Sequence, residues 1–450
     1  MTGPDPRLPR VADTYNPSRT PFELACSIPL AFSKLFHLWW IFVKVNRVPG
    51  GARFSRRLVL RISNRLKLGL DSPLRLTITA GMILLYCQTT LSAQLTILHS
   101  FGDGSIPNDG AHPSAGLTRG PNGDFFGDTI FQAHTLNTPA GTVFTVTPAG
   151  NIKIIKRFGL TSNIWPTAPL LYYKKKLIGI GGGAVFALVD VQGRWRLRFW
   201  HKFTGGPDDG ANPAGGVILG KDGNLYGVTE DGGGTGFGFG TAYKLDPATH
   251  NFSIVYAFTM NDAWMPGATL VQANDGNFYG STLQSPLGQI GTIFRLTPEG
   301  QFTTVWTLFP QTQAPLIQAS DGNLYTTIPA FNSSDGSILR VGTSCCGAII
   351  HSFGLLDGAN PIGALVQGPD GNLYGATTAG GTAGEGTIFE ISTDGSVFDV
   401  VHNFGDGSVP NDGSTPNGGL ILGKDGNLYG TTYNGGSAGL GTVFKFTLTP

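Results

Sequence analysis

The chain has 450 residues, of which 67 are Gly, 29 are Pro and only 13% are charged, so it is turn-rich, weakly charged and long enough for one large closed domain. Its formal charge of +1 conceals an asymmetry: residues 1–93 hold 13 Lys and Arg against 4 acids, whereas residues 94–450 hold 17 against 25. The larger part is mildly acidic overall, a poor match to the clustered cations that phosphate backbones demand, and no nucleic-acid partner is expected.

Residues 1–52 contain a short apolar aromatic run at 35–43, bounded by Lys34 and Lys44. This extension is left unassigned, as sequence upstream of the true translation start or as a membrane or interfacial segment. Residues 53–93 follow the order of a secretory signal: Arg53, Arg56, Arg57, Arg61, Arg65, Lys67 and Arg75, then an apolar run at 76–87, then Ser92 and Ala93. A signal-like helix is expected here, and cleavage after Ala93 would release a mature chain starting at Gln94. An uncleaved membrane anchor is the alternative, although the run falls short of the ~20 residues of a span. Export would place the protein in the medium, the periplasm or on the cell surface. Of four cysteines, only the neighbours Cys345 and Cys346 lie beyond residue 93, as a strained vicinal disulfide or as two thiols.

From residue 94 the chain is repetitive. The kernel DGNLYG at Asp222 returns as DGNFYG at Asp275, DGNLYT at Asp321 and DGNLYG at Asp370 and Asp425, with looser copies NGDFFG at Asn122 and KKKLIG at Lys174. A second marker of the type Gly-Thr-Val-Phe follows each, at Gly141, Gly183, Gly240, Gly291, Gly336, Gly386 and Gly441. Seven units of this length, rich in Gly, Thr and aromatics, have the period of propeller blades and not of helical solenoids. Within a unit, Asp-Gly supplies the positive φ of a hairpin turn between the first two strands, and Thr442, Phe444 and Phe446 show the period-two alternation of a third. Fourth strands are visible at 253–258, 348–353 and 397–404. The last unit has none of its own, and the segment LTILHSF at 95–101 matches the fourth strands IIHSF and VVHNF. The expected fold is therefore all-β, a seven-bladed β-propeller over 94–450 closed by its N-terminal strand, which removes the open sheet edge. A monomer is expected.

The repeat, with DGNLYG, GTVF and LHxFxxxDGxxP in register, resembles the Gloeo/Verruco (GloVer) tandem repeat of "choice-of-anchor" proteins from environmental bacteria, from Leu95 to the end. The resemblance implies an exported, propeller-like repeat protein. A more distant similarity is to streptogramin lyase and two-component-regulator propellers.

Most repeated residues read as structural. The fourth-strand histidines His99, His201, His351 and His402, with Lys156, Tyr256 and Thr307 as their equivalents, are spread over different blades and form no metal centre. Function is expected where the copies diverge, in the loops from strand four to the next strand one and from strand two to three, which share one face. That face carries Asp109, Asp209, Asp357 and Asp412 in the motif Asp-Gly-x-x-Pro. The Asp- and Asn-rich segments at 102–110 and 405–413 leave calcium open as a weak alternative, without EF-hand spacing; no other cofactor and no metal site is expected. In two loops tryptophan takes the place of Asp-Gly, at Trp165 and Trp264. With Phe237 and Phe239 these form a candidate aromatic platform, and Trp165, Trp264, Phe237, Asp209 and Asp357 form the candidate ligand site. The expected function is a binding or structural module for an extracellular glycan or protein. The alternative is a propeller lyase or glycosidase using carboxylates such as Asp209 and Asp357.

Overall fold

The computed structural model describes residues 94–450 apart from 132–140, 160–163, 165, 167, 235–237, 287, 289, 309–311, 333, 345 and 449–450. The readings of residues 1–52 and 53–93, and of the side chains of Trp165, Phe237 and Cys345, fall outside the described residues.

Every regular element described is a β-strand, and the strands form seven antiparallel sheets. Blade 3 shows the pattern: Gly210–Leu219, Leu225–Gly232, Thr241–Leu245 and Phe252–Ala257 pair in chain order. Blade 7 combines Ser414–Pro416 and Ile421–Leu422, Leu428–Asn434 and Thr442–Thr447 with Gln94–Ser100 as its fourth strand. The register runs Leu95 to Phe446, Ile97 to Phe444 and His99 to Val443, with a bulge at Leu98. The ring is thus closed by its N-terminal strand, as the repeat offset requires.

First strands of neighbouring blades meet backbone to backbone around the axis. A Cβ on Gly116 of blade 1 would lie 2.2 Å from the Gly418 carbonyl oxygen of blade 7, and one on Gly363 of blade 6 would lie 2.7 Å from Gly419 Cα. No side chain fits between them.

The kernel turn is a side-chain clamp. In blade 3 the Asp222 carboxylate accepts from the Asn224 backbone N–H (3.1 Å), the Asn224 side-chain amide (2.7 Å) and the Tyr226 hydroxyl (2.9 Å). The same clamp recurs at Asp275, Asp321, Asp370 and Asp425. It fixes the tyrosine ring, which is buried against the next blade: Tyr226 lies 4.2 Å from Phe278, and Tyr429 the same distance from Phe125 of blade 1. The kernel glycine is equally determined. A Cβ on Gly280 or Gly430 would strike the ring of Phe294 or Phe444 at 2.6 and 2.5 Å. Blade 5 carries Thr326 in that place, and there the third strand has the smaller Leu339. Each blade therefore fills its core from one strand or the other.

Candidate functional site

The loop face is built from the crossovers that leave each fourth strand. The histidine of that strand donates to or accepts from the crossover aspartate: His99 Nε2 to Asp109 at 2.8 Å, His201 to Asp209 at 2.9 Å, His351 to Asp357 at 3.1 Å and His402 to Asp412 at 3.0 Å. In blade 3 the Tyr256 hydroxyl donates to Asp262 in the same way. Backbone N–H groups of Gly102, Thr204, Gly354 and Gly405 complete the carboxylates. The aspartate's own carbonyl accepts from the next blade, as where the Thr142 hydroxyl donates to Asp109 at 3.0 Å. That hydroxyl is paired with Thr129 at 2.9 Å, and matching buried threonine pairs stand in blades 3, 4, 6 and 7. The aspartate is a fastener between successive blades.

The histidine ring serves the same seam. His201 stacks on Phe252 of the next blade (4.0 Å) and His351 on Phe398 (3.6 Å), while Tyr256 stacks on Phe302 (5.0 Å). In blade 4 the register places Trp306, not Thr307, at this position, opposite Ile293. The residue it meets in blade 5 is Gly347, whose Cβ would lie 2.8 Å from the indole. The same bulge interrupts the fourth strand of every blade, so a count of four residues from Phe302, like those from Phe252 to Tyr256 and from Phe398 to His402, also leads to Trp306.

Burial alone would raise the Asp209 carboxyl, but hydrogen bonds from His201, Thr204 and Gly210 outweigh it and hold the group below its ordinary range. Burial lowers His351, with Asp357 opposing, and the ring is held below its usual value. Asp209 and Asp357 stand at crossovers three blades apart, each tied to an outermost strand. The Asp209 carboxylate is bonded to His201, Thr204 and the Gly210 N–H that begins the first strand of blade 3, and that of Asp357 to His351 and the Gly354 N–H. Among the described residues no group of three or more His, Cys, Asp or Glu is placed to hold a metal ion.

Trp264 differs from expectation in its alignment. Asp262 keeps the acidic place, and Ala263 stands for the glycine. Trp264 occupies the next position, where the other crossovers carry Ala111, Ala211, Ala359 and Ser414; all five pair with the end of a second strand. It is half-buried, donates its indole N–H to Gln284 and has its ring centroid 5.8 Å from Phe239. Sequence reading missed a second aromatic group at the seam of blades 7 and 1. His112 stacks on Tyr433 (4.6 Å), bonds through Nδ1 to the Tyr433 carbonyl (2.9 Å) and meets Phe131 edge-on (6.0 Å). The signal was present: His112 replaces the Asn212 and Asn360 of the motif Asp-Gly-Ala-Asn-Pro. Glu230 at the end of a blade 3 strand is raised by burial and by Asp231, and its Oε1 lies 3.4 Å from the Gln313 amide of blade 5. On the rim at the same 7–1 seam is a cleft of about 490 Å³ lined by Ile97, His99, Asp103, Ser105, Asn151 and Ile152.

The profile of the Gloeobacter/Verrucomicrobia repeat matches residues 179–344 and 311–450, more than half of the sequence. The chain belongs to this repeat family. Both matched stretches lie within the closed ring. No curated protein sequence matches the chain. Among solved structures, a catalytically inactive virginiamycin B lyase of Staphylococcus aureus, solved with quinupristin, is similar at TM-score 0.54 and 15% identity, over 79% of this chain and 99% of the other. The extracellular domain of a hybrid two-component system of B. thetaiotaomicron is similar at TM-score 0.50 and 10% identity, over 78% of this chain and 39% of that one. At these identities the likeness is one of fold. In this chain the residues matched to the Gloeobacter/Verrucomicrobia repeat form propeller blades.

Proposed function

We propose that this repeat propeller is an exported binding module that holds an extracellular glycan or protein on its loop face. The observation that carries the reading is Trp264: an indole stands half-exposed where four other crossovers carry Ala or Ser, with Phe239 beside it, and the strands beneath are unchanged. A lone large ring added to a surface position of a repeat contributes nothing that the sibling blades need, whereas flat apolar rings are suited to sugar faces and apolar side chains. The second aromatic group, His112 with Tyr433 and Phe131, enlarges the same face. The crossovers that present these rings are held by Asp262 and Asp109, as Asp209 and Asp357 hold those of other blades. The order of residues 53–93 supports export.

The test is glycan-array and pull-down binding by the wild type and by Trp264→Ala. Loss of about tenfold in affinity, equivalent to about 1.4 kcal/mol, is expected with the fold intact. Ligand binding that is unchanged in Trp264→Ala refutes the placement of the site.

A further inference from the structure

The acidity of the propeller hides one strongly basic region. Residues 141–202, which hold the last two strands of blade 1 and all of blade 2, contain ten Lys and Arg and a single acid, Asp190; the rest of 94–450 contains seven Lys and Arg and 24 acids. Blade 2 departs furthest from the repeat. At the kernel turn, where five blades have Asp-Gly-Asn, it has Lys174, Lys175 and Lys176, and Lys174 and Lys175 hold φ of 45° and 62°. Two non-glycine residues in this region are strained, and the turn gives up the carboxylate clamp as well. What it gains is charge.

The adjoining outermost strand, Arg194–Lys202, continues the pattern. Arg194, Arg196 and Arg198 are all exposed and, at period two, project from one face about 6.7 Å apart. Lys176 pairs with Val189, and Val189 with Arg196, so turn and strand contribute to one lateral row. The half-buried Tyr173 ring lies within it, 4.9 Å from Lys174 Nζ, and Lys176 Nζ lies 5.0 Å from the ring of Trp200, which is buried beneath the row and stacked on His250. Among the described residues none of these six cations forms an ion pair with a carboxylate. The nearby acids are engaged by backbone, Asp190 with the Gly193 N–H and Asp246 with that of Ala248.

We propose that this corner of blade 2 binds a linear anionic polysaccharide, its carboxylates or sulfates paired with the arginine row and a sugar face against Tyr173. Guanidinium groups match planar carboxylates with paired hydrogen bonds. The shape of the cluster selects a single flexible chain: the basic strip is narrow and flanked by acidic blades. A flat bilayer or a stiff duplex cannot lie on it without bringing further charges within the ~8–10 Å screening length of those acids. A flexible polymer follows the strip alone. This site is separate from the loop face, because the kernel turns and the loop-face crossovers lie at opposite ends of the strands.

The experiment uses the full chain and polygalacturonate at low ionic strength, with a neutral glucan, single-stranded DNA and phosphatidylglycerol vesicles as competing probes. Two variants are compared with the wild type. One is Arg194→Ser with Arg196→Ser and Arg198→Ser. The other is Lys174→Asp with Lys175→Gly and Lys176→Asn, which gives the two-residue turn between Tyr173 and residue 176 an Asp-Gly pair suited to its positive φ and so removes charge while relieving strain. Each is expected to lose at least tenfold in polygalacturonate affinity, and bound polymer is expected to slow hydrogen exchange at 172–200. Because residues 1–93 are basic too, exchange protection identifies the surface used. Equal binding by either variant, no protection at 172–200, equal binding of the neutral glucan, or tighter binding of DNA or vesicles than of polygalacturonate overturns the proposal.

Discussion

Asp128 is the least compensated side chain described. It sits in the second strand of blade 1, is 1% exposed, and neither carboxylate oxygen has a hydrogen-bond partner. The sister blades hold neutral groups there, among them Val228, Ser281 and Thr327; Ser281 donates to the Thr312 carbonyl (3.0 Å) and Thr327 to that of Gly363 (3.2 Å) of the next blade. Burial pushes the Asp128 carboxyl well above its ordinary 3.8, so the folded protein holds it protonated where the unfolded chain has lost the proton. The sign follows from that imbalance: the folded state binds more protons, so the stability contribution is greatest below 3.8 and falls as pH rises toward the folded value. Asp128→Thr removes an unpartnered polar group worth about 1–3 kcal/mol at any pH. It also removes a penalty that grows by about 1.4 kcal/mol per pH unit within that window. Urea-unfolding midpoints of both proteins from pH 4 to 7 test this, since other carboxylates cancel in the difference. The variant is expected to be the more stable, by a margin that widens with pH. A margin that is flat with pH, or a variant less stable at pH 7, refutes the reasoning.

Deleting residues 94–100 strips the outer strand from Thr442–Thr447 and uncovers Phe446; the expected result is loss of cooperative unfolding and concentration-dependent aggregation, followed by light scattering. Gly347→Phe drives a side chain into Trp306 and is expected to cost about 1–3 kcal/mol, whereas the double variant with Trp306→His recovers the stacked arrangement of His351 and Phe398; a double-mutant cycle with no coupling disproves the pairing. If residues 53–93 act as a cleaved signal, the exported protein begins at or near Gln94, and N-terminal sequencing of the secreted fraction reads this directly; an intact chain confined to the cytoplasm disproves it.

Fold and closure were legible because each rests on a repeated local choice. The kernel aspartate, its turn glycine and the tyrosine four residues later are satisfied within one hairpin, so their spacing announces the strands. The fourth-strand match of 95–101 announced closure for the same reason. The function of the crossover aspartates was not legible, since their partners lie six to ten residues back across loops of unequal length, from His351–Asp357 to His99–Asp109. Read without those partners, Asp209 and Asp357 pass for surface carboxylates. Trp264 stands out as a departure, and its place was open to a count along the sequence, since Asp262 to Pro266 has the spacing of Asp209 to Pro213; the pairing with Gln284 agrees. The stacking of His112 on Tyr433 joins residues 321 apart, and its one local trace is the His that replaces the motif's Asn.

Closure by the strand Gln94–Ser100 also sets an order of events. The first strand of the ring to be made waits, unpaired, for the last, Thr442–Thr447, and joining ends separated by some hundreds of residues costs about 5 kcal/mol of chain entropy. Six blades can assemble on their neighbours beforehand, but the seventh cannot exist until the whole chain has emerged. The seam then works as a completeness check: an interrupted chain leaves a sheet edge at each end of its array, open to proteases and to other unfinished copies, and only a full-length molecule conceals both.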